Sequence, residues 1–256
     1  MEGIQPQPVR TGADELNAQA DSKAGTDALK KAAAARALDF VRPGMKLGLG
    51  TGSTAEIFLD LLAEKVGKGL AVVGVATSKR TEEKARALGI PLNALGVLAP
   101  LDITIDGTDE ADRDLNLIKG AGGALLREKI VAVSSRRMIV IADGSKLVSK
   151  LGRFPLPVEV VPFGHETTAR RIVSVAFSYG HDGLAPALRM KADKPFVTDG
   201  GNYIYDCPFG AIANAPALSV ALSTVPGVVD HGLFVGIATM LVIASDRGLK
   251  VIERKK

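Results

Sequence analysis

The stretch "MKLGLGTGSTAEIFLDLLAEKV" (Met45–Val66) decides how the chain folds. "MKLGLG" reads as a short apolar strand, "TGS" interrupts it with small residues, and "STAEIFLDLLAEKV" carries apolar residues at helical spacing. Ser53 followed by Glu56 has the pattern of a capping box. The spacing therefore predicts a helix starting at Ser53, directly after a glycine-rich turn.

The same rhythm continues downstream. "LAVVGVAT" is a second apolar strand and "SKRTEEKARALG" a second helix closed by Gly89. "LDITID" is a third strand, "GGALLREKIVAVSS" a helix and "RMIVIAD" a fourth strand. Apolar strands alternating with helices predict a parallel sheet covered on both faces. Upstream, "TDALKKAAAARALDFV" places Leu29, Ala32, Ala33, Ala37, Phe40 and Val41 on one helical face, and Pro43-Gly44 stops that helix. Residues 1–25 are polar with no apolar period and read as a disordered extension.

After Lys150 the texture changes. "FPLPVEVVPF" is a Pro-punctuated strand, "ETTARRIVSVAFSYG" a helix, and "ALRM", "PFVT" and "YIYD" short strands. The last two flank Asp199-Gly200-Gly201-Asn202, a hairpin-turn sequence. "APALSVALSTV" is a further helix, with Pro216 in its first turn. This reads as an α+β insert, after which "VDHGLF", "MLVIAS" and "KVIER" are expected as strands returning to the main sheet.

The bulk composition narrows the function classes. The 256 residues suffice for one large domain or a main domain with a smaller one. The net charge is +4, aromatics make up 4% and Trp is absent, so neither a basic patch nor a base-stacking surface is available for nucleic acid. No run reaches the ~18 apolar residues of a membrane span. No apolar signal region is visible at the N-terminus. Cys207 is the only cysteine, which excludes an internal disulfide and fits a reducing compartment; a cytoplasmic location is expected.

"GLGTGST" after a strand and before a helix favours an anion at the helix start, where Thr51, Ser53 and Thr54 add hydroxyl donors. A tight turn without a ligand is the lesser alternative. It is G-x-G-x-G rather than G-x-G-x-x-G, and the next strand ends in Ala76-Thr77 with no acid for a ribose hydroxyl, so a dinucleotide fits poorly. In a parallel sheet, ligands bind beyond the carboxyl ends of the strands. "ITIDGTDE" sets Asp106, Asp109 and Glu110 at such an end, suited to a sugar's hydroxyls, to proton transfer, or to Mg²⁺. In "IKGAGGALLREK", Lys119 precedes three glycines whose backbone lets a ligand approach, and a lysine there stabilises a developing oxyanion. Glu128 on the following helix is either a base with a raised pKa or a solvated acid paired with a cation. Asp143-Gly144-Ser145-Lys146 ends the fourth strand, either as a mere turn or with Lys146 toward the same mouth. His165, His181 and His231 lack metal-ligand spacing and read as structural, and no G-x-S-x-G supports a serine nucleophile.

Together, "GLGTGSTA", "DGTDEAD", "IKGAGGALLREK", "ADGSK", "PLPVEVVPF", "VTDGGNYIYDC" and "PGVVDHGLF" resemble the ribose-5-phosphate isomerase family of the A type, from about Thr26 onward. The resemblance implies interconversion of ribose 5-phosphate and ribulose 5-phosphate in the non-oxidative pentose phosphate pathway, with no metal and no organic cofactor. It implies a Rossmann-like α/β domain (26–153 and 232–256) and a smaller ferredoxin-like α+β lid or oligomerisation domain (154–231), assembled as a homodimer or homotetramer. Carried over by residue, Glu128 is the proton-transferring base, Asp106 helps open the sugar ring, Asp109 contacts substrate, and Lys119 stabilises the enediolate. Thr51, Gly52, Ser53, Thr54, Gly107, Thr108, Gly120, Ala121 and Gly122 complete the substrate loops. Lys146 and Lys30 face the phosphate, a one-residue slip making the latter Lys31. Thr108 and Ala121 stand where alanine and glycine also occur in the family, and the N-terminal extension is the main departure. A non-catalytic sugar-phosphate sensor is the alternative reading. Acyl-CoA transfer through a glutamate nucleophile is a third, with little support from "DGTDE" and "KGAGG".

Overall fold

The computed structural model describes residues 12–254, with side chains from Gly25 onward. It begins with α1 (Gly12–Leu38), longer than the sequence suggested. Residues 13–23 include three Ala and one each of Glu, Leu, Gln and Lys, and these strong helix formers extend a helix already anchored by packing further on. The disorder expected through residue 25 is thus replaced by helix from Gly12; residues 1–11 lie outside the described residues. The buried face of α1 is Ala33, Ala34 and Ala37, and Val41, just beyond its end, is buried with them. Ala34, four residues after Lys30, takes the place expected for Ala32, which is exposed.

The main sheet uses β1 (Lys46–Leu49), β2 (Val73–Ala76), β3 (Leu101–Asp106), β6 (Ser135–Asp143), β14 (Met240–Ser245) and β15 (Gly248–Glu253), in the order β15-β14-β6-β3-β1-β2. β2, β1, β3, β6 and β14 run parallel, and β15 closes the edge antiparallel to β14. Their apolar residues alternate between two cores. Ile139 and Ile141 of β6 join Leu49, Ile105, α1 and α2 (Ser53–Gly67), whereas Met138, Val140 and Ala142 face the layer holding α5 (Leu125–Val133) and Phe234. α3 (Lys79–Ala87) and the single-turn α4 (Leu95–Leu98) fill the path from β2 to β3. From β1 the chain steps out to β2, then crosses to β3 on the other side of β1. The loops after β1 and β3 therefore diverge at their carboxyl ends, the position where doubly wound sheets open a crevice. Among the described residues, no helix is long and apolar enough to cross a membrane.

A second sheet is built by β7 (Leu156–Val160), α6 (His165–Ser178), β8 (Ala187–Leu188), β11 (Tyr203–Cys207), α7 (Ala215–Ser223) and β12 (Val228–His231). Its order is β12-β7-β11-β8 with every pairing antiparallel, the βαββαβ ferredoxin-like arrangement. Ile172 and Ala176 of α6 and Leu218 and Leu222 of α7 cover one face, over Leu156, Val158 and Val160. β9 (Met190–Lys191) and β10 (Lys194–Pro195) form a separate small hairpin. "PFVT" therefore does not pair with "YIYD": its Pro195 belongs to β10 and pairs with Met190, "YIYD" lies in β11, and the Thr198 N–H closes a turn on the Asn202 carbonyl.

A third sheet of β4 (Glu110–Ala111), β5 (Leu117–Ile118) and β13 (Leu233–Phe234) lies between the two. "VDHGLF" is split as a result. Val228–His231 stays with the second sheet, and Leu233–Phe234 pairs with β5. Gly232 makes the switch because a Cβ there would stand 2.2 Å from the Lys119 carbonyl oxygen. Only "MLVIAS" and "KVIER" return to the main sheet.

Candidate active site

The crevice begins at the close approach of β1 and β3. A Cβ at Gly50 would meet Asp106 Oδ1 at 2.2 Å, so only glycine lets the loop pass the carboxylate. Asp106 Oδ1 accepts from the N–H groups of Thr51 (3.1 Å) and Gly107 (2.7 Å). The Thr51 side chain turns the other way. Its Oγ1 lies 2.7, 2.8 and 3.0 Å from the hydroxyls of Thr77, Ser78 and Thr81, tying the turn to the start of α3. Helix α2 begins at Ser53, as the spacing predicts, but without the capping box. Gly52 is the N-cap, with φ +107° and no side-chain cap, and the Glu56 carboxylate pairs with Arg80 instead. The first turn of α2 thus remains available to an anion at the crevice.

Lys119 follows β5 and is held by its own N–H, which donates to the Gly232 carbonyl at 2.9 Å. Its ammonium donates to the Gly107 carbonyl at 2.7 Å and lies 3.1 Å from Asp106 Oδ2 and 3.5 Å from Glu128 Oε2. Glu128 sits in the first turn of α5 and is only 3% exposed. Burial pushes its carboxyl up to about 8; Lys119 opposes the shift, and Asp106 and Asp109 add to it. Burial likewise raises the Asp106 carboxyl, against Lys119 and two backbone N–H groups. At Lys119 burial works against the ammonium, but Asp106, Glu128 and Asp109 outweigh it and hold the amine charged. The result is one fixed cation beside one carboxyl that titrates near neutrality.

The rest of "DGTDE" is structural or connecting. Asp109 Oδ2 accepts from the Ala121 N–H at 2.9 Å, joining two loops. The Thr108 hydroxyl is spent on the carbonyls of Glu110 (2.6 Å) and Ile118 (3.0 Å). Glu110 is buried, and its carboxylate accepts from the N–H groups of Gly152 (2.7 Å) and Phe154 (2.6 Å).

These groups surround a cavity of about 370 Å³. Its wall includes Thr51–Thr54, Gly107–Asp109, Lys119–Gly122, Glu128, Lys30 and Lys146. Of the residues expected from sequence, Asp106 alone is not on the wall; it is fully buried behind Lys119. Lys30 lines the cavity, whereas Lys31 lines a separate depression with Glu56 and Asp60. Thr26, Asp143 and Ser145 also line it; the last two were expected only as part of the turn that carries Lys146, and Thr26 only as the start of the folded chain. For Asp143 the signal was its place at the end of β6; its carboxylate accepts from the Ser145 N–H at 3.0 Å, fixing the turn that carries Lys146. The three histidines lie elsewhere. His165 meets the Tyr205 hydroxyl, His181 the Phe209 carbonyl, and His231 the Ser219 carbonyl and the Leu233 N–H. Burial and Lys129 lower His231 to about 4, which keeps it neutral. Among the described residues, no group of three or more His, Cys, Asp or Glu is gathered to hold a metal ion.

A family profile described as Ribose 5-phosphate isomerase A (phosphoriboisomerase A) matches residues 73–248. Ribose-5-phosphate isomerase A of Parvibaculum lavamentivorans is 59% identical over 227 residues, 89% of this chain and 98% of that protein. Among solved structures, ribose 5-phosphate isomerase from Plasmodium falciparum superposes with a TM-score of 0.84 at 40% identity, over 90% of this chain and 100% of the other. A D-ribose-5-phosphate isomerase described as in complex with phospho-erythronic acid superposes with a TM-score of 0.83 at 37% identity, over 90% and 99% of the two chains.

Proposed function

The chain belongs to the ribose 5-phosphate isomerase A family and interconverts ribose 5-phosphate and ribulose 5-phosphate, and from that premise we propose how this cavity divides the work. Glu128 is the base. As a carboxylate it takes the proton from C2 of the open-chain aldose, the C1 carbonyl oxygen gains the electron pair, and the enediolate forms. Transfer of the remaining hydroxyl proton from O2 to O1, together with return of the carbon proton from Glu128 to C1, gives the ketose. Lys119 and the Gly122 N–H stabilise the enediolate oxygens, the neighbouring Ala121 N–H being held by Asp109. Asp106, closed off from the cavity, acts through the Lys119 ammonium 3.1 Å away when the sugar ring opens, while Asp109 contacts the sugar. Lys30, Lys146 and the first turn of α2, with Ser53 and Thr54, hold the phosphate. Lys119 supplies the positive charge, so the route draws on neither a metal nor an organic cofactor. Phospho-erythronic acid, named with one solved relative, suits this cavity by the same chemistry, since its carboxylate presents negative charge where the enediolate oxygens develop.

The observation that carries this reading is the buried Glu128–Lys119 pair opening onto a sugar-phosphate-sized cavity. Glu128→Gln is expected to lower kcat by roughly 10²–10⁴-fold, with the dissociation constant for ribose 5-phosphate within severalfold of the unmodified protein. Near-normal turnover in that variant would remove Glu128 as the base. The sensor alternative is not favoured: burying Glu128 and Lys119 serves proton transfer, whereas ligand binding alone requires neither.

The same reading extends to organisation. Residues 154–231 act as a lid and oligomerisation domain over a catalytic domain of 26–153 and 232–256. The exposed Phe163, Phe177 and Val220 of the second α+β unit suit pairing of copies into a homodimer or homotetramer, which light scattering coupled to gel filtration reads directly. The single buried cysteine suits the reducing cytoplasm; localising a tagged chain by microscopy tests that placement.

A further inference from the structure

Arg189 lies between β8 and β9, outside the cavity wall. Its Nε and Nη2 donate to Asp206 Oδ2 and Oδ1 at 2.9 and 2.5 Å. This two-point fork fixes the plane of the guanidinium. The remaining nitrogen, Nη1, donates to the carbonyls of Gly120 at 2.8 Å and Ala121 at 3.2 Å. Phe196 lies beneath the guanidinium, 5.9 Å from Cζ to ring centre, and packs against Gly123. The second sheet thus grips the loop after Lys119 by its carbonyls.

Peptide planarity turns that grip into an orientation. In a trans peptide the C=O and the following N–H point in opposite directions. Holding the Gly120 and Ala121 carbonyls toward Arg189 directs the N–H groups of Ala121 and Gly122 the other way. The first of these donates to Asp109 Oδ2 at 2.9 Å, and Gly122 lines the cavity. A cation on the carbonyl side also polarises each peptide unit and strengthens its N–H as a donor.

We infer that Arg189, fixed by Asp206, is a positioning residue for the isomerisation: it touches no substrate atom, holds the Ala121 N–H on Asp109 and turns the Gly122 N–H toward the developing oxyanion. This rests on the enediolate reading above. It gives the second sheet a share in the rate as well as in covering the site.

Arg189→Met is expected to lower kcat roughly tenfold to a hundredfold, somewhat below the loss from deleting an oxyanion donor outright. KM for ribose 5-phosphate is expected to stay within about threefold, since the peptide N–H groups matter most when charge develops. Affinity for phospho-erythronic acid is expected to fall by about the same factor as kcat. Arg189→Lys keeps a cation but loses the fork; it is expected to show the same split more weakly, and it carries the test if the Met variant does not fold. A role confined to stability would lower the melting temperature and leave kcat per folded molecule and affinity for the acid unchanged, which would overturn the inference. If the acid binds the unmodified protein no more tightly than ribose 5-phosphate, the enediolate reading is what fails. If it binds more tightly and stays so in both variants, the assignment of Arg189 fails.

Discussion

Three carboxylates within five residues end in three different surroundings. Asp106 is locked by two N–H groups behind Lys119, Asp109 bridges two loops at the cavity wall, and Glu110 is buried against main chain. Glu128 completes the acid set, and its titration makes a prediction. With its carboxyl pushed up to about 8 by burial, the carboxylate needed as base is the minor form at pH 7. kcat/KM is expected to rise with pH and level off above about 8, and the residual rate of Glu128→Gln is expected to lack that rise; a pH–rate profile of both proteins checks it. For stability the sign is the reverse. A folded value raised above the ordinary one favours the protonated fold, so this contribution is complete below about 4.5 and lost as pH rises through about 8. The residues at strand ends and after glycine turns were legible because position in a parallel sheet assigns them. The role of Glu110 was not, because its partners are N–H groups more than forty positions away, and nothing local marks them.

At the scale of elements, hydrophobic periodicity carried most of the information. The strand, turn and helix of Met45–Val66 fold as their pattern dictates, yet the capping box failed because the N-cap is Gly52, which puts Ser53 inside the helix and Glu56 out of register, and the Glu56 carboxylate turns to Arg80 on α3. The same pair of helices explains what Thr51 does. Its hydroxyl joins those of Thr77, Ser78 and Thr81, while its N–H holds Asp106. Thr51→Val keeps the shape and removes the hydroxyl. It is expected to cost about 1–3 kcal/mol, read as a fall in urea midpoint, and to lower kcat by loosening the turn beneath Asp106. A variant with unchanged midpoint and unchanged kcat would show the hydroxyl cluster to be idle. Arg189 escaped the sequence reading for a related reason. A lone arginine between two-residue strands carries no pattern, and its importance comes from what the folded second sheet brings near it.

Across the whole molecule, three sheets meet where Glu110 binds the N–H groups of Gly152 and Phe154, just before the chain enters β7. Glu110→Ala leaves the buried Gly152 N–H and the half-buried Phe154 N–H without that acceptor and is expected to cost about 2–4 kcal/mol. Activity per folded molecule, assayed well below the melting temperature, is expected to remain near normal. A loss of activity without a loss of stability would instead place Glu110 in the chemistry. The parallel main sheet was readable from continuous apolar runs, but the assignment of "VDHGLF" to it was not correct. A single glycine passes the chain from one sheet to another there, and two-residue strands offer no alternation to read. The interrupted order of the main sheet also has a consequence for biosynthesis. β14 seats beside β6, but residues 144–239 leave the ribosome between them, roughly 5–20 seconds at about 5–20 residues per second. During that interval the outer rim of β6 has no neighbour and is the part of the nascent chain most open to pairing with another polypeptide. The βαββαβ unit, with its own core, is complete in the chain by His231, before β14 emerges, so its folding needs no part of β14 or β15.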